Sequence, residues 1–380
     1  MDDTTVVILI DALGFEIAAR HGFQPGSLST RCRLKTVLGF SQAALTTIVT
    51  GTAVEHHGIW MMYAFARRGS PFGWVRFMPG PASMQRRWMR NLVRWKLDHL
   101  DRIQSYYSLY AVPRDVLPYL DLPARRNLFT VGGVDGVHSI FDELKRRGIP
   151  VFVRDYRTPE EEAFEELEQS VRRGAASFYL LYTAGLDSLL HRYGTGDARI
   201  AERLEWYRKR IERICSIDQR ISVYVFGDHG MCDVTERHDL ISQVDALGLL
   251  VPEDFIPFYD STVARFKVYT ERADSALRSL LTGFHWGRLL GEVELAQLGT
   301  FFGNGRYGDL IFVTNGGLII LPSYMSTEMV KGMHGYHPDE ECMYGAMLTN
   351  TELPEGPLSI GDVARIIVPG FSPRSGGGGW

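Results

Sequence analysis

Val6-Val7-Ile8-Leu9-Ile10-Asp11 is an unbroken apolar run closed by a carboxylate. A continuous run, without the alternation of a half-exposed strand, suits a central strand covered on both faces. The same reading fits Pro150-Val151-Phe152-Val153, Phe178-Tyr179-Leu180-Leu181-Tyr182 and Ser222-Val223-Tyr224-Val225-Phe226. Helical patterns lie between these runs. Ser139 to Gly148 opens on a capping Ser and closes on a Gly. Pro159 to Arg173 is acidic at its start and basic at its end, matching a helix dipole. Ile200 to Ile214 repeats large apolar residues at helical spacing. Strand–helix alternation of this kind predicts an α/β fold, a three-layer α/β/α sandwich around a mostly parallel sheet.

Two stretches break the rhythm. Residues 61–127 are rich in aromatic residues and Arg, with a helical pattern from Met84 to Tyr110. Residues 252–324 hold a second helical pattern at Ala273 to Leu281 and the apolar run Gly308 to Val313. Both read as cap insertions in a single domain spanning 1–380, and the Gly-rich segment 372–380 reads as a flexible tail. With 380 residues and a net charge of −4, the chain can bury a large core and gives no sign of disorder or of a nucleic-acid partner. The four cysteines, Cys32, Cys215, Cys232 and Cys342, show no paired spacing and are expected as free thiols. With an acidic N-terminus that lacks a basic leader, this predicts a cytoplasmic location. In 84–110, Trp88, Leu92 and Trp95 share a helical face among many Arg residues. A cap helix with a solvated basic side is the first reading. A roof attracting an anionic substrate and a peripheral membrane contact are alternatives. The sequence does not speak to oligomeric state.

Chemistry-bearing residues cluster around the strand ends. Asp11 stands where ligands collect in parallel sheets, although a helix N-cap is the better explanation when it is taken alone. Asp187 and His191 are four residues apart, so one helical face presents both. Asp228-His229 follows the Ser222–Phe226 run inside a Gly-flanked loop, and His334 lies between glycines with His337 as a competitor. Ser41 begins the helical-looking run that ends at Thr50-Gly51. It is placed either as a cap or as a hydroxyl at a helix N-terminus, where a phosphate would meet unsatisfied N–H groups. Neither a Gly-x-Ser-x-Gly elbow nor a P-loop supplies a rival site. Asp and His in these numbers, with one hydroxyl, are the inventory of a two-metal phosphoryl-transfer site.

The joint order Asp, Ser-helix, Asp-x3-His, Asp-His-Gly, His-Gly-Tyr resembles the alkaline phosphatase superfamily, and within it the type I phosphodiesterase/nucleotide pyrophosphatase branch. The resemblance covers about residues 4–60 and 130–350. It implies two Zn²⁺ ions, with Mn²⁺ or Fe able to take similar sites. One would be held by Asp187, His191 and His334, the other by Asp11, Asp228 and His229 with Ser41 beside it. It further implies Ser41 as nucleophile, a covalent phospho-Ser41 intermediate, the Gln42 backbone N–H on a phosphate oxygen, and a small phosphate ester or diester as substrate. Where the branch usually has Thr, then Pro two places on and Asn three places on, this chain has Ser41, Ala43 and Ala44. The sulfatase signature would need a proline at 43 and an arginine at 45, where Ala43 and Leu45 stand. The expected activity is diester or phosphoanhydride hydrolysis. A phosphomonoesterase and a non-catalytic metal-binding protein are the alternatives.

Overall fold

The computed structural model describes residues 4–67, 69–78, 87–109 and 111–373. The chain first lays down β1 (Thr5–Ile10), β2 (Thr30–Lys35), β3 (Val151–Arg154), β4 (Phe178–Thr183) and β5 (Ser222–Phe226). Beyond these come β6 (Cys232–Asp233), β7 (Phe255–Tyr259), β8 (Val263–Val268), β9 (Gly287–Leu289) and β10 (Leu310–Thr314). The last strands are β11 (Gly332–Met333), β12 (Gly345–Thr349) and β13 (Leu358–Ser359). The central sheet has the order β13–β2–β12–β5–β1–β4–β3. Only β12 runs against the others, so the sheet is mostly parallel.

Side chains alternate along β1 and so feed two cores. Val6, Ile8 and Ile10 meet the face covered by α4 (Glu160–Arg172) and α6 (Ala198–Cys215). Val7 and Leu9 meet the face covered by α1 (Ser41–Thr50), α3 (Ile140–Arg146) and α8 (Val363–Ile367). Each fully buried Val, Leu or Ile contributes on the order of 1.5–3 kcal/mol, so β1 anchors both layers and its end is a fixed point. The Ser139 cap forms as read: its hydroxyl accepts from Asp142 N–H and the Asp142 carboxylate answers the Ser139 N–H.

The two stretches that break the rhythm share one core. Tyr63, Phe72, Val93 and Leu97 pack with Phe258, Phe266, Leu277 and Phe312. Strands β7–β8–β10–β9 form an antiparallel sheet there, flanked by α7 (Glu271–Thr282). The helical pattern expected over Met84–Tyr110 is shorter in the structure. Residues 84–86 and 110 lie outside the described residues, and α2 (Arg87–His99) stops at His99. Arg102 takes a left-handed φ of 54°, and Ile103 N–H reaches back to the Leu97 carbonyl, closing the helix end. Met89, Val93 and Leu97 are buried while Trp88, Leu92 and Trp95 stay exposed. Of the expected tail, residues 374–380 lie outside the described residues.

The expectation of four free thiols is corrected. Cys232 in β6 is disulfide-bonded to Cys342, while Cys32 and Cys215 are free. The partners are 110 residues apart, and local spacing carries no sign of such a pair. They meet because β6 pairs with β11 and buried Tyr336 and Met343 pack against Cys232. This removes the cysteine-based ground for a reducing compartment. Thiol titration of denatured protein should find two reactive thiols before reduction and four after it. Four before reduction would refute the pairing. Removing the bond should cost about 2–5 kcal/mol in unfolding free energy, readable by denaturant titration.

Candidate active site

The carboxyl ends of β1, β4 and β5 converge on one spot, where a parallel sheet leaves an open crevice. Asp11 closes β1 and does not cap the next helix, whose N-cap is Gly14. Asp187 and His191 lie on α5 (Gly185–Tyr193), which follows β4. Asp228 and His229 follow β5, and His334 follows β11. Two trios result, Asp187/His191/His334 and Asp11/Asp228/His229, with the ligand atoms of each within 4.8 Å of one another. His337 lies elsewhere, its ring 3.4 Å from Glu294 and 3.6 Å from Asp339.

Each side chain is fixed on one atom and presents another. The Tyr182 hydroxyl donates to Asp11 Oδ2, and backbone N–H groups of Ala12 and His229 donate to Asp228 Oδ1 at 3.2 and 3.1 Å. Asp11 Oδ1, Asp187 Oδ1 and Asp228 Oδ2 are buried with no hydrogen-bond partner. His191 Nδ1 and His229 Nδ1 each lie 2.9 Å from a carbonyl, of Gly332 and Gly230. A carbonyl only accepts, so Nδ1 carries the proton in both rings and Nε2 keeps its lone pair for the cluster. His229 Nε2 lies 3.4 Å from both Asp11 Oδ1 and Asp228 Oδ2, and His191 Nε2 lies 3.3 Å from Asp187 Oδ1. Tetrahedral zinc with bonds of about 2.0–2.1 Å sets neighbouring ligand atoms about 3.3–3.4 Å apart. The orphaned oxygens and these separations fit a divalent cation in each trio.

Burial without a counter-charge shapes the titration of these groups. Burial, then the Asp11 charge, pushes the Asp187 and Asp228 carboxyls well above the carboxylate range. Burial, reinforced by neighbouring imidazoles, pushes His334 well below the usual histidine value. Burial also lowers His191.

Ser41 is the first residue of α1, whose N-cap is Phe40, so its hydroxyl is not the cap. Ser41 Oγ instead lies 3.1 Å from His229 Nε2. Both Ala43 and Ala44 N–H groups point back to the Phe40 carbonyl. The Ser41 and Gln42 N–H groups have no helical carbonyl one turn earlier. The Gln42 side-chain amide is engaged elsewhere, donating to the Tyr106 carbonyl at 2.6 Å. His57, close after this helix, is a buried tether between Thr47 and Ile59.

Glycines near the ligands act mainly by close approach. A Cβ on Gly227 would stand 2.3 Å from the Leu13 carbonyl oxygen. In the Gly-flanked loop around Asp228, Gly227 is required by packing. Gly335 has φ +87°, and there the backbone itself demands glycine.

Three features were not read from the sequence. Tyr182 holds Asp11, and Thr262 donates to the backbone carbonyls of His334 and Gly335, at 3.2 and 3.1 Å. Asp260 lines the cavity over Ser41 and pairs with buried Arg265 at 3.3 Å.

The family model for type I phosphodiesterase/nucleotide pyrophosphatase matches residues 40–337. No curated protein sequence matches the chain. Among solved structures, murine ectonucleotide pyrophosphatase/phosphodiesterase 5 superposes with TM-score 0.68 at 13% identity, covering 96% of this chain and 94% of that one. An inactive form of the murine protein in complex with AMP gives the same values. The human counterpart gives TM-score 0.66 at 12% identity, covering 96% and 93%. These structural likenesses carry the fold.

Two outcomes follow from the geometry. Gly227→Ala should displace Asp228, lower bound zinc measured by atomic emission, and destabilise the protein by about 2–3 kcal/mol. Protons on Asp187 and Asp228 compete with a cation, and their raised pKa values extend that competition upward in pH. The rise in thermal midpoint on adding zinc should therefore be smaller at acidic pH and grow as the pH is raised. A pH-independent rise would contradict the assignment.

Proposed function

The chain belongs to the type I phosphodiesterase/nucleotide pyrophosphatase family, in the alkaline phosphatase superfamily, and is a phosphoric ester hydrolase; on that premise we propose that it cleaves a phosphodiester or phosphoanhydride through Ser41. The observation that carries this reading is Ser41 Oγ, uncapped at a helix N-terminus and 3.1 Å from His229 Nε2. Asp187, His191 and His334 would hold one ion, and Asp11, Asp228 and His229 the other, zinc being the best match to the mixed Asp/His donors. Bound there, the two ions supply charge neutralisation for the attacking and leaving oxygens.

The residues of the chain do the rest. Ser41 Oγ forms a bond to phosphorus as the ester P–O bond opposite it breaks, and the leaving oxygen departs as the alcohol or phosphate product. The hydroxyl proton leaves Ser41 towards solvent or the leaving group. Water then attacks phospho-Ser41, returning the hydroxyl and releasing the second product. The first-turn N–H groups of Ser41 and Gln42 face the anionic oxygens, where the helix dipole favours negative charge. Tyr182 keeps Asp11 in its orientation throughout. We take segments 61–127 and 252–324 as the caps over this chemistry, since Met62, Tyr106 and Asp260 all line the cavity above Ser41.

The test compares bis-p-nitrophenyl phosphate with p-nitrophenyl phosphate, using zinc-supplemented wild type and Ser41→Ala. The diester should be cleaved faster, and the variant should lose on the order of 10³-fold or more in kcat. Faster monoester cleavage would move the protein to the phosphomonoesterase reading. Activity retained in Ser41→Ala would sink the nucleophile assignment.

A further inference from the structure

The start of α4 carries three glutamates, and two of them do no more than the helix dipole asks. Glu161 and Glu162 are exposed. Glu160 turns inward, with its side chain only 17% exposed. Its Oε1 accepts from the hydroxyls of Thr183 and Tyr207, and its Oε2 accepts from Arg203 on α6. Three donors converging on one group suit the acceptor-only carboxylate. No step of the proposed reaction uses this group.

Thr183 gives the cluster its reach. It is the last residue of β4 and is buried, and its carbonyl accepts from the Asp11 N–H at 2.9 Å. One residue thus meets Glu160 through its hydroxyl and the backbone of one trio through its carbonyl. Asp187, from the other trio, lies four residues further on, in the first turn of α5.

The start of α5 has no anchor of its own. Its N-cap is Ala184, which offers no side-chain acceptor to the first turn. Gly185 follows, and a Cβ there would stand 2.6 Å from Glu160 Oε2 and 2.7 Å from Oε1. The carboxylate therefore rests against the α5 backbone two residues before Asp187, in the space a side chain would fill. Held by Thr183, Tyr207 and Arg203, it is a fixed stop for that backbone.

Resting on the reading of the two trios as cation sites, we infer that Glu160 is a positioning residue for both. Through the Thr183 hydroxyl and the close contact at Gly185 it sets where β4 ends and α5 begins, and so where Asp11 and Asp187 stand. It touches neither ion nor substrate. Outer groups that bond a metal ligand directly govern affinity by about 10–100-fold, and Glu160, acting through backbone, is expected at the lower end.

The experiment compares wild type with Glu160→Ala, Thr183→Val and Glu160→Gln. Zinc affinity is read by competition with a chromophoric chelator. The visible absorption of Co²⁺-substituted protein reports ligand geometry. Both are measured well below each variant's thermal midpoint, so that a loss of stability alone moves neither. Glu160→Ala and Thr183→Val should each weaken zinc about tenfold and change the Co²⁺ spectrum. The double variant should be no weaker than the weaker single one, because both break the same link. Glu160→Gln keeps an amide that the Thr183 hydroxyl can still meet, and it should restore most of the affinity and the wild-type spectrum. If Glu160→Ala does not fold, Thr183→Val decides. Wild-type affinity and spectrum in Thr183→Val, or midpoints that fall while the spectra stay, would overturn the inference. Glu160→Gln behaving like Glu160→Ala would also overturn it, since the effect would then be one of charge. In each of these cases zinc bound by wild type leaves the two-cation reading standing. Wild type that binds no zinc overturns both.

Discussion

Three carboxylates buried within reach of one another are the constraint to which the rest of the structure answers. Asp11 and Asp228 lie almost out of water, Asp187 is partly buried with its Oδ1 out of water, and their immediate neighbours are imidazoles in place of Arg or Lys. Isolated buried anions are costly, by several kcal/mol each after relaxation. The arrangement is tolerable only if the surrounding backbone cannot relax it away. The fold meets that requirement by hanging the ligands on strand ends whose sides are packed on both faces. It then adds tethers: the Tyr182 hydroxyl on Asp11, two amide N–H groups on Asp228, and carbonyls on His191 and His229. The orphaned oxygens are held 3.3–3.4 Å from imidazole Nε2 atoms, separations suited to a small divalent ion.

The roof depends on the same constraint from the other side. Thr262, within residues 252–324, grips the backbone of His334, while Gln42 on α1 grips Tyr106, within residues 61–127. Because these two stretches share a core, the grips belong to one body. Buried Arg265 strengthens the junction by donating to the Tyr63 carbonyl and pairing with Asp260. Breaking either partner would leave an uncompensated buried charge, a far larger cost than the pair is worth as a net contribution.

Much of this was legible in the chain. The central strands announced themselves because full burial on both faces leaves an unbroken apolar run, as in Val6 to Ile10. The ligands were legible because each follows such a run or stands at helical spacing, as Asp187 and His191 do. Three sheet strands were not, one of them the two-residue β13 (Leu358–Ser359). Thr30–Lys35 spells Thr-Arg-Cys-Arg-Leu-Lys and is half exposed, so its polar residues mask it. Gly345–Thr349 is short and runs antiparallel in a sheet that otherwise reads as parallel. The disulfide, Tyr182 on Asp11 and the Thr262 clasp are long-range contacts between residues that have no local signature. The end of α2 was misjudged because Arg102, a residue that rarely adopts positive φ, closes it where glycine would have been the usual signal.

The spread of the ligands along the chain has a consequence for how the protein comes into being. Asp11 and Ser41 are near its start, Asp228 and His229 come past its middle, and His334 emerges only after most of the sheet. During synthesis Asp11 waits for more than half of the chain before its own trio exists, and the other trio waits longer still, for His334. Non-local closure of this kind is slow, since the chain entropy must be lost before the contacts reward it. Completion of the Asp187, His191 and His334 trio is therefore a late event, and a chain cut short of His334 would lack that one of the two sites.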